Sequence, residues 1–187
     1  MKPVRQKKCK SCSEYFTPMN SLQQVCSTAC ALQLARARRE KKERKHWQER
    51  KRALKTNREL IKEAQALFNK FIRLRDKGRP CISCGRNPND ANLITGSRWD
   101  CGHYRSVGSC PELRFEELNA HKQCVSCNQH KSGNAVEYRL NLIARIGLDK
   151  VEWLEGKHIA KHYSRDDLLE LKEVYRMKIK ALNEKHH

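Results

Sequence analysis

The sequence predicts an α+β fold in which helices flank small units held together by cysteine. Ten cysteines fall into two groups, four in residues 9 to 30 and six in residues 81 to 127. Segments with helical hydrophobic periodicity surround the second group, whose own residues are short apolar runs separated by turns. With 187 residues, of which 38% are hydrophobic, the chain cannot build one large core. We therefore expect three parts: residues 1–35, 36–58 and 59–187.

The first part is a cysteine module. Cys9 and Cys12 are separated by two residues, and Cys26 and Cys30 by three. The sequence begins without the apolar run of a secretory signal peptide, so a reducing compartment is expected and metal binding is favoured over disulfides. These four thiolates predict a structural Zn²⁺ site. A disulfide-bonded protein is the alternative, and it conflicts with both the missing signal and the spacing.

The second part is strongly basic. Residues 36 to 58 contain twelve Lys or Arg and three acids. Their net charge of +9 is nearly half of the formal charge of +19. Good helix formers without an apolar stripe predict a solvated helix. A charged helix face needs no ligand, but this density favours a polyanion, and we expect DNA contacts through its phosphates. The residues expected to bind DNA are Arg36, Arg38, Arg39, Lys41, Lys42, Arg44, Lys45, Arg50, Lys51 and Arg52 here, and Lys131 in the third part.

The third part begins with an amphipathic helix. Apolar residues recur with helical spacing from Leu60 to Ile72, after a capping-box pattern at Thr56 and Glu59. A second helix is marked by Val136, Leu140, Ile143 and Ile146 and ended by Gly147, and a third is capped by Ser164 and Asp167. Between the first and second helices, short runs such as Leu113-Arg114-Phe115 predict strands, and residues 87–90 predict a turn.

Two further cysteine pairs lie in this third part. Cys81-x2-Cys84 and Cys124-x2-Cys127 are separated by 39 residues. Two such knuckles presenting four thiolates are typical of a closed tetrahedral Zn²⁺ site. Cys101 and Cys110 are left over, and we expect them to be small buried hydrophobic residues. A zinc-pinned β-hairpin unit is predicted.

Between and after these knuckles the sequence carries residues suited to phosphodiester hydrolysis. Asp100-Cys-Gly-His-Tyr104, Asn119 and Asn128-Gln-His-Lys131 combine imidazoles, a carboxylate and amides. Such hydrolysis requires a base that activates water, a divalent cation and a group that orients the base. Composition and spacing thus favour a metal-dependent nuclease.

Four strings carry a closer resemblance: Arg79-Pro-Cys-Ile-Ser-Cys-Gly85, Trp99-Asp-Cys-Gly-His-Tyr104, Leu113-Arg-Phe-Glu-Glu-Leu-Asn119 and His121-Lys-Gln-Cys-Val-Ser-Cys-Asn-Gln-His-Lys-Ser-Gly-Asn134. They resemble the His-Asn-His, or ββα-metal, nucleases, and among these the bacteriophage NinG proteins, the lambda Rap recombination endonuclease family. The resemblance covers nearly the whole chain. It implies a ββα-metal nuclease core, cleavage of Holliday junctions and D-loops, and a location in the cytoplasm of the bacterial host.

The resemblance also implies roles for single residues. His103 occupies the position of the general base, and Asn119 that of the asparagine that holds the hairpin loop and the base. Asn128 occupies a position that binds the catalytic Mg²⁺ or Mn²⁺. The superfamily's other metal ligand directly precedes the base, but Gly102 stands there, which leaves Asp100 as the nearest carboxylate. His121 and His130 are expected to be ordinary polar or packing residues.

Two functions remain after the disulfide protein is set aside. One is the divalent-metal-dependent endonuclease, and the other is a non-catalytic, zinc-dependent adaptor that binds DNA or RNA. The adaptor accounts for the charge and the zinc sites, but it gives no role to His103, Asn119 and Asn128. The endonuclease is therefore the expected function. Branched DNA is the expected partner, with phage or host recombination proteins or a second copy of the chain as further partners, and no membrane.

Overall fold

The computed structural model describes residues 6–87 and 99–184, and the predicted turn at residues 87–90 lies largely outside them. The chain forms two compact units that divide between Lys55 and Thr56. Helices and two small antiparallel sheets make up the described part, so the predicted α+β class is confirmed. No helix of the described chain is both long enough and apolar enough to cross a bilayer.

The N-terminal unit consists of a small hairpin and one long helix. Strands β1 (Lys7–Lys8) and β2 (Tyr15–Phe16) pair antiparallel. Helix α1 (Thr28–Ala53) begins after Ser27, whose hydroxyl accepts the Cys30 N–H at 3.2 Å. The helix therefore starts before the predicted basic segment at residue 36, and the cysteine module and the basic helix are continuous.

Helix α1 buries none of its residues, as predicted for a solvated helix. Three ion pairs with i, i+4 spacing lie along its surface: Arg36–Glu40, Arg39–Glu43 and Lys45–Glu49. Such exposed pairs contribute little individually, about 0.3–0.5 kcal/mol. Its three acids therefore leave a large excess of positive charge on an exposed surface.

Helices α2 (Asn57–Arg75) and α5 (Arg165–Glu184) form the main core of the C-terminal unit. The predicted capping box starts α2, because Thr56 Oγ1 accepts the Glu59 N–H and the Glu59 carboxylate accepts the Thr56 N–H. The predicted Ser164–Asp167 cap starts α5 in the same reciprocal way. The buried face of α2 packs on α5, with Phe68 and Tyr175 in edge-to-face contact.

Strands β3 (Trp99–His103) and β4 (Ala120–Cys124) form the second hairpin, in which Trp99 pairs with Cys124 and His103 with Ala120. The connection contains two single 3-10 turns, Pro111–Leu113 and Glu117–Asn119. The predicted strand at Leu113-Arg114-Phe115 is therefore wrong. Pro111, which lacks an N–H and has a fixed φ, favours the start of a helical turn at this position.

Two helices follow the hairpin, α3 (Ala135–Ile146) and α4 (Leu148–Glu155), and they contact each other. Gly147 ends α3 as predicted, with a φ of +91°. The side that α3 buries carries Tyr138 and Leu142, whereas Val136 and Leu140, which marked the helix in the sequence, are exposed. The contact that selects this side is long-range, because the Tyr138 hydroxyl donates to Gly102 O at 2.9 Å.

Candidate functional site

Four of the six cysteines in residues 81 to 127 form a compact cluster at the base of the β3–β4 hairpin. The ligand atoms of Cys81, Cys84, Cys124 and Cys127 all lie within 4.8 Å of one another, and Cys84 Sγ is 3.8 Å from Cys124 Sγ. Tetrahedral zinc with Zn–S bonds of about 2.3 Å requires sulfur atoms roughly 3.8 Å apart. The Cys124 N–H also donates to Cys81 Sγ at 3.3 Å, which favours a thiolate there. The four residues fit Zn²⁺ in a structural site.

The N-terminal cysteines form an equivalent cluster. Cys9, Cys12, Cys26 and Cys30 also have their ligand atoms within 4.8 Å of one another. Cys26 Sγ lies 3.6 Å from Cys12 Sγ and 3.5 Å from Cys30 Sγ, far longer than a disulfide bond of about 2.05 Å. All ten cysteines are free thiols, so the disulfide alternative finds no support in the structure. Two clusters that could hold zinc are present, as the spacing predicted.

Asp100 and Asn128, the two residues expected to bind a catalytic cation, are brought together from β3 and from the short π-helix after β4 (Ser126–His130). Asn128 Nδ2 donates to Asp100 Oδ2 at 2.9 Å. Gln129 Nε2 donates to the same oxygen at 2.8 Å. The oxygen atoms of a carboxylate and two amides are metal ligands of the type that Mg²⁺ and Mn²⁺ prefer. Gln129 was not singled out in the sequence, although it directly follows Asn128.

His103, the expected general base, is the last residue of β3. Its Nε2 lies 3.0 Å from Arg114 O and can donate to this carbonyl, and the backbone of Cys101 is a second hydrogen-bond partner of the ring. Burial lowers the pKa of His103 below its usual value, although its contact with Arg114 O opposes the shift. The ring also lies 5.7 Å from that of Phe68. Burial therefore favours the neutral imidazole, the form that can accept a proton.

The structure does not bring His103 together with Asp100. Side chains alternate along a strand, so Asp100 and Gly102 share one face of β3, and Cys101 and His103 share the other. The second face packs on the α2–α5 core, which Cys101 and the Phe68 contact of His103 show. The proposed base and the proposed carboxylate ligand therefore point to opposite sides of the hairpin. Strand periodicity would have indicated this from the sequence alone.

Asn119, the last residue of the 3-10 turn before β4, is completely buried and holds the loop that follows β3 through hydrogen bonds. Its Oδ1 accepts the Arg105 N–H at 2.7 Å, and its Nδ2 donates to Arg105 O at 3.0 Å and to Leu113 O at 3.1 Å. Both polar atoms of the buried Asn119 amide therefore have hydrogen-bond partners in place of water. The loop that joins His103 to Arg114 is thereby fixed. These two residues form the contact between His103 Nε2 and Arg114 O.

Gly102, which stands where a metal ligand was expected from the resemblance, lies against a buried side chain from β4. A Cβ on Gly102 would be 2.1 Å from Gln123 Oε1 and 3.0 Å from Gln123 Cβ. Gln123 is held in place because its Nε2 donates to Ser83 Oγ at 2.6 Å and to Gly133 O at 2.5 Å. Glycine is therefore required at this position by packing, and the space of the missing ligand is filled.

Gly102→Ala is expected to destabilise the C-terminal unit by about 1–3 kcal/mol, the usual result of overpacking a closed core. The free energy of unfolding in urea measures the change. Gly78→Ala is the matched control, because a Cβ at Gly78 would meet nothing within 4 Å. Equal stability of the two variants would show that Gln123 moves aside easily.

A network that the sequence did not reveal fixes β4 to the end of α2. Asp76 is completely buried, and Arg75 donates to both of its oxygens at 2.9 Å. Burial alone would raise the pKa of Asp76, but bonds from His121 and Arg75 outweigh it and hold the pKa well below its usual range. His121 is buried beside this carboxylate, 3.5 Å away, and has a packing role, whereas His130 is exposed.

The remaining candidates occupy the positions that their residue types suggest. Cys110 is buried in the core around α3, and Cys101 packs against the α2–α5 core, where burial raises its pKa to about 12. Among the residues expected to bind DNA, Arg36 to Arg52 are exposed along α1, and Lys131 is exposed after β4. These cations are accessible to a polyanion in both units.

The whole chain is similar to one protein family. The model of the family described as "Bacteriophage Lambda NinG protein" matches residues 1–185. Proteins named "Protein ninG" from Escherichia phage 933W, Escherichia phage lambda and Salmonella phage P22 are 43%, 42% and 41% identical to it. The matches cover 97%, 97% and 95% of this chain and 95%, 95% and 94% of those proteins. No solved structure matches it. The chain belongs to the NinG family of bacteriophage lambda-like proteins.

Proposed function

We propose that the protein is a divalent-metal-dependent DNA endonuclease that cuts branched recombination intermediates such as Holliday junctions and D-loops. The observation that carries the proposal is His103, an imidazole whose pKa burial lowers, at the end of a hairpin that carries a four-cysteine cluster, with its Nε2 3.0 Å from Arg114 O. A structural zinc protein needs no such group. Its position on the hairpin, and the Asn119 bonds that fix the adjoining loop, agree with a ββα-metal nuclease core.

In this proposal His103 takes a proton from the water that attacks the phosphorus atom, the bond from phosphorus to the leaving oxygen breaks, and the leaving oxygen takes up a proton from solvent. A hydrogen bond from Nε2 to Arg114 O stabilises the imidazolium that forms. Asn119 keeps the loop in place during the reaction. Asp100 and Asn128 would hold Mg²⁺ or Mn²⁺, which supplies charge stabilisation for the phosphoryl oxygens and the leaving group.

The second candidate function is a non-catalytic adaptor that binds DNA or RNA. The observation that favours it is the placement of His103 and Asp100 on opposite faces of β3, which separates the base from the carboxylate. Both functions use the zinc clusters and the exposed cations. Incubation of junction, flap and linear DNA with Mg²⁺, with Mn²⁺ and with chelator distinguishes them. Metal-dependent cleavage of branched DNA supports the endonuclease, and binding without cleavage supports the adaptor.

Asp100→Ala and Asn128→Ala are each expected to raise the divalent-metal concentration required for half-maximal cleavage by roughly 10-fold or more, because each removes one oxygen ligand. Titration of cleavage against Mg²⁺ measures this. Glu152→Ala is the control, since it removes an exposed carboxylate from α4. If Asp100→Ala titrates like the wild type, the carboxylate on the face away from His103 is not a ligand.

A fragment that begins at Thr56 is expected to fold, retain one zinc and bind branched DNA more weakly than the full chain. The unit boundary between Lys55 and Thr56 leaves the capping box and the α2–α5 core intact. Each phosphate contact that is lost lowers the slope of log affinity against log salt by about 0.9. Equal slopes for fragment and full chain would show that α1 does not contact DNA.

A further inference from the structure

An open cleft of about 340 Å³ lies beside the second zinc cluster. Helix α3 forms one wall with Asn141 and Arg145, and the segment before and after Cys81 forms the other with Arg79 and Gly85. The cleft is separate from the residues proposed for catalysis, because His103, Asp100 and Asn128 do not line it. Its volume is in the range of small-ligand sites.

Arg145 lines this cleft and is partly buried in its wall. Its Nη1 atom is buried and has no hydrogen-bond partner within the described residues. A buried guanidinium nitrogen without an acceptor is unfavourable, so native proteins usually provide one. Burial lowers the pKa of Arg145 below its usual value, the charge of Asp76 opposes this shift, and the charge of Arg79 adds to it. Two cations therefore line the cleft, and none of the described residues that line it carries a carboxylate.

The carboxylate near Arg145 is already engaged by other groups. Asp76 accepts both hydrogen bonds from Arg75, and its Oδ2 also accepts the Lys122 N–H at 3.1 Å. Arg145 acts on the pKa of His121 and of Lys122 as a nearby like charge, which it lowers in both. One carboxylate therefore faces several cations, and the balance at the cleft is positive.

The walls of the cleft are fixed before any ligand arrives. Asn141 Nδ2 donates to Ser83 O at 3.0 Å and to Glu137 O at 2.9 Å, which joins α3 to the knuckle. The Arg79 N–H donates to Asp76 O at 3.0 Å, and the Cys81 N–H to Arg86 O at 2.9 Å. Two arginines on a fixed scaffold suit an oxyanion, because guanidinium groups present several N–H donors in one plane.

We propose that Arg79 and Arg145 form a phosphate-binding cleft beside the second zinc cluster. We assign a backbone phosphate of DNA as the ligand, and this assignment rests on the function proposed above. The cleft then gives the C-terminal unit a contact with the DNA backbone that is independent of α1. Binding of one phosphate positions a strand without reading its bases, which suits recognition of DNA shape.

Inorganic phosphate is the first probe. Thermal unfolding of the zinc-loaded full chain is measured as phosphate replaces chloride at constant ionic strength. Phosphate should raise the Tm of the wild type and of Lys150→Gln, a control that removes an exposed cation from α4. Arg79→Gln and Arg145→Gln should lose the rise, and Arg145→Lys should retain part of it. The same rise in all variants would overturn the cleft, and zinc content shows that each variant is folded.

Branched DNA is the second probe, and it identifies the source of the phosphate. Arg145→Gln should reduce the slope of log affinity against log salt by about 0.9, and Lys150→Gln should leave it unchanged. An unchanged slope in Arg145→Gln, with the phosphate effect lost, would overturn DNA as the ligand in favour of free phosphate. If wild-type protein binds with an Arg145-dependent slope but does not cut DNA, the cleft stands and the endonuclease proposal fails.

Discussion

Cys81→Ser is expected to unfold the C-terminal unit. Binding of a structural Zn²⁺ in zinc-finger peptides contributes an apparent 10–16 kcal/mol, about as much as the whole stability of a typical domain, roughly 5–15 kcal/mol. Cys81 is a buried member of the cluster that joins the 81–84 knuckle to β4, and its Sγ also accepts the Cys124 N–H. Loss of this ligand removes the metal that links the hairpin to the knuckle.

Zinc content and circular dichroism measure the effect. Zinc should fall from about two ions per chain to about one, because the N-terminal cluster belongs to a separate compact unit. Cys110→Ser is the matched control, since Cys110 is buried but lies outside both clusters. We expect it to retain both ions and to unfold cooperatively. Two ions and a wild-type Tm in Cys81→Ser would show that this cluster is not a zinc site.

His103→Ala is expected to lower the cleavage rate of branched DNA by a factor of about 100–10,000 while junction affinity stays nearly unchanged. A general base contributes to proton transfer, whereas phosphate affinity comes from the exposed Lys and Arg residues. Single-turnover cleavage and equilibrium binding measure the two properties separately. His162→Ala removes an exposed imidazole and serves as the control. Near wild-type cleavage by His103→Ala would exclude His103 as the base.

The pH dependence of wild-type cleavage provides an independent measurement of the same role. Only neutral His103 accepts a proton, so the rate should rise with pH and level off above the pKa of the ring. Because burial lowers that pKa from the usual 6.5, the midpoint should lie below 6.5. A midpoint well above 6.5 would indicate a different base.

Local chemistry in the sequence determined the elements whose signals are short-range. The Thr56–Glu59 box and the apolar spacing from Leu60 onwards predicted α2, and Gly147 predicted the end of α3. The knuckle spacings predicted both cysteine clusters, because a metal site selects residue types at fixed separations. The pairing of Asp100 with Asn128 was expected only from the resemblance, since they are 28 positions apart in the sequence.

Tertiary packing decided what depends on distant contacts. Tyr138 selected the buried side of α3 by bonding to Gly102 O, whereas the 3-10 turn at Leu113 follows from Pro111, a local signal that was already in the sequence. Gln123 fills the space beside Gly102, and Arg114 contacts His103 through a backbone carbonyl that any residue type would provide. The sequence by itself determined which residues could carry zinc and chemistry. Only the tertiary structure decided which of them meet, because contacts such as that of His103 with Arg114 O and that of Asp100 with Asn128 depend on packing between elements far apart in the chain.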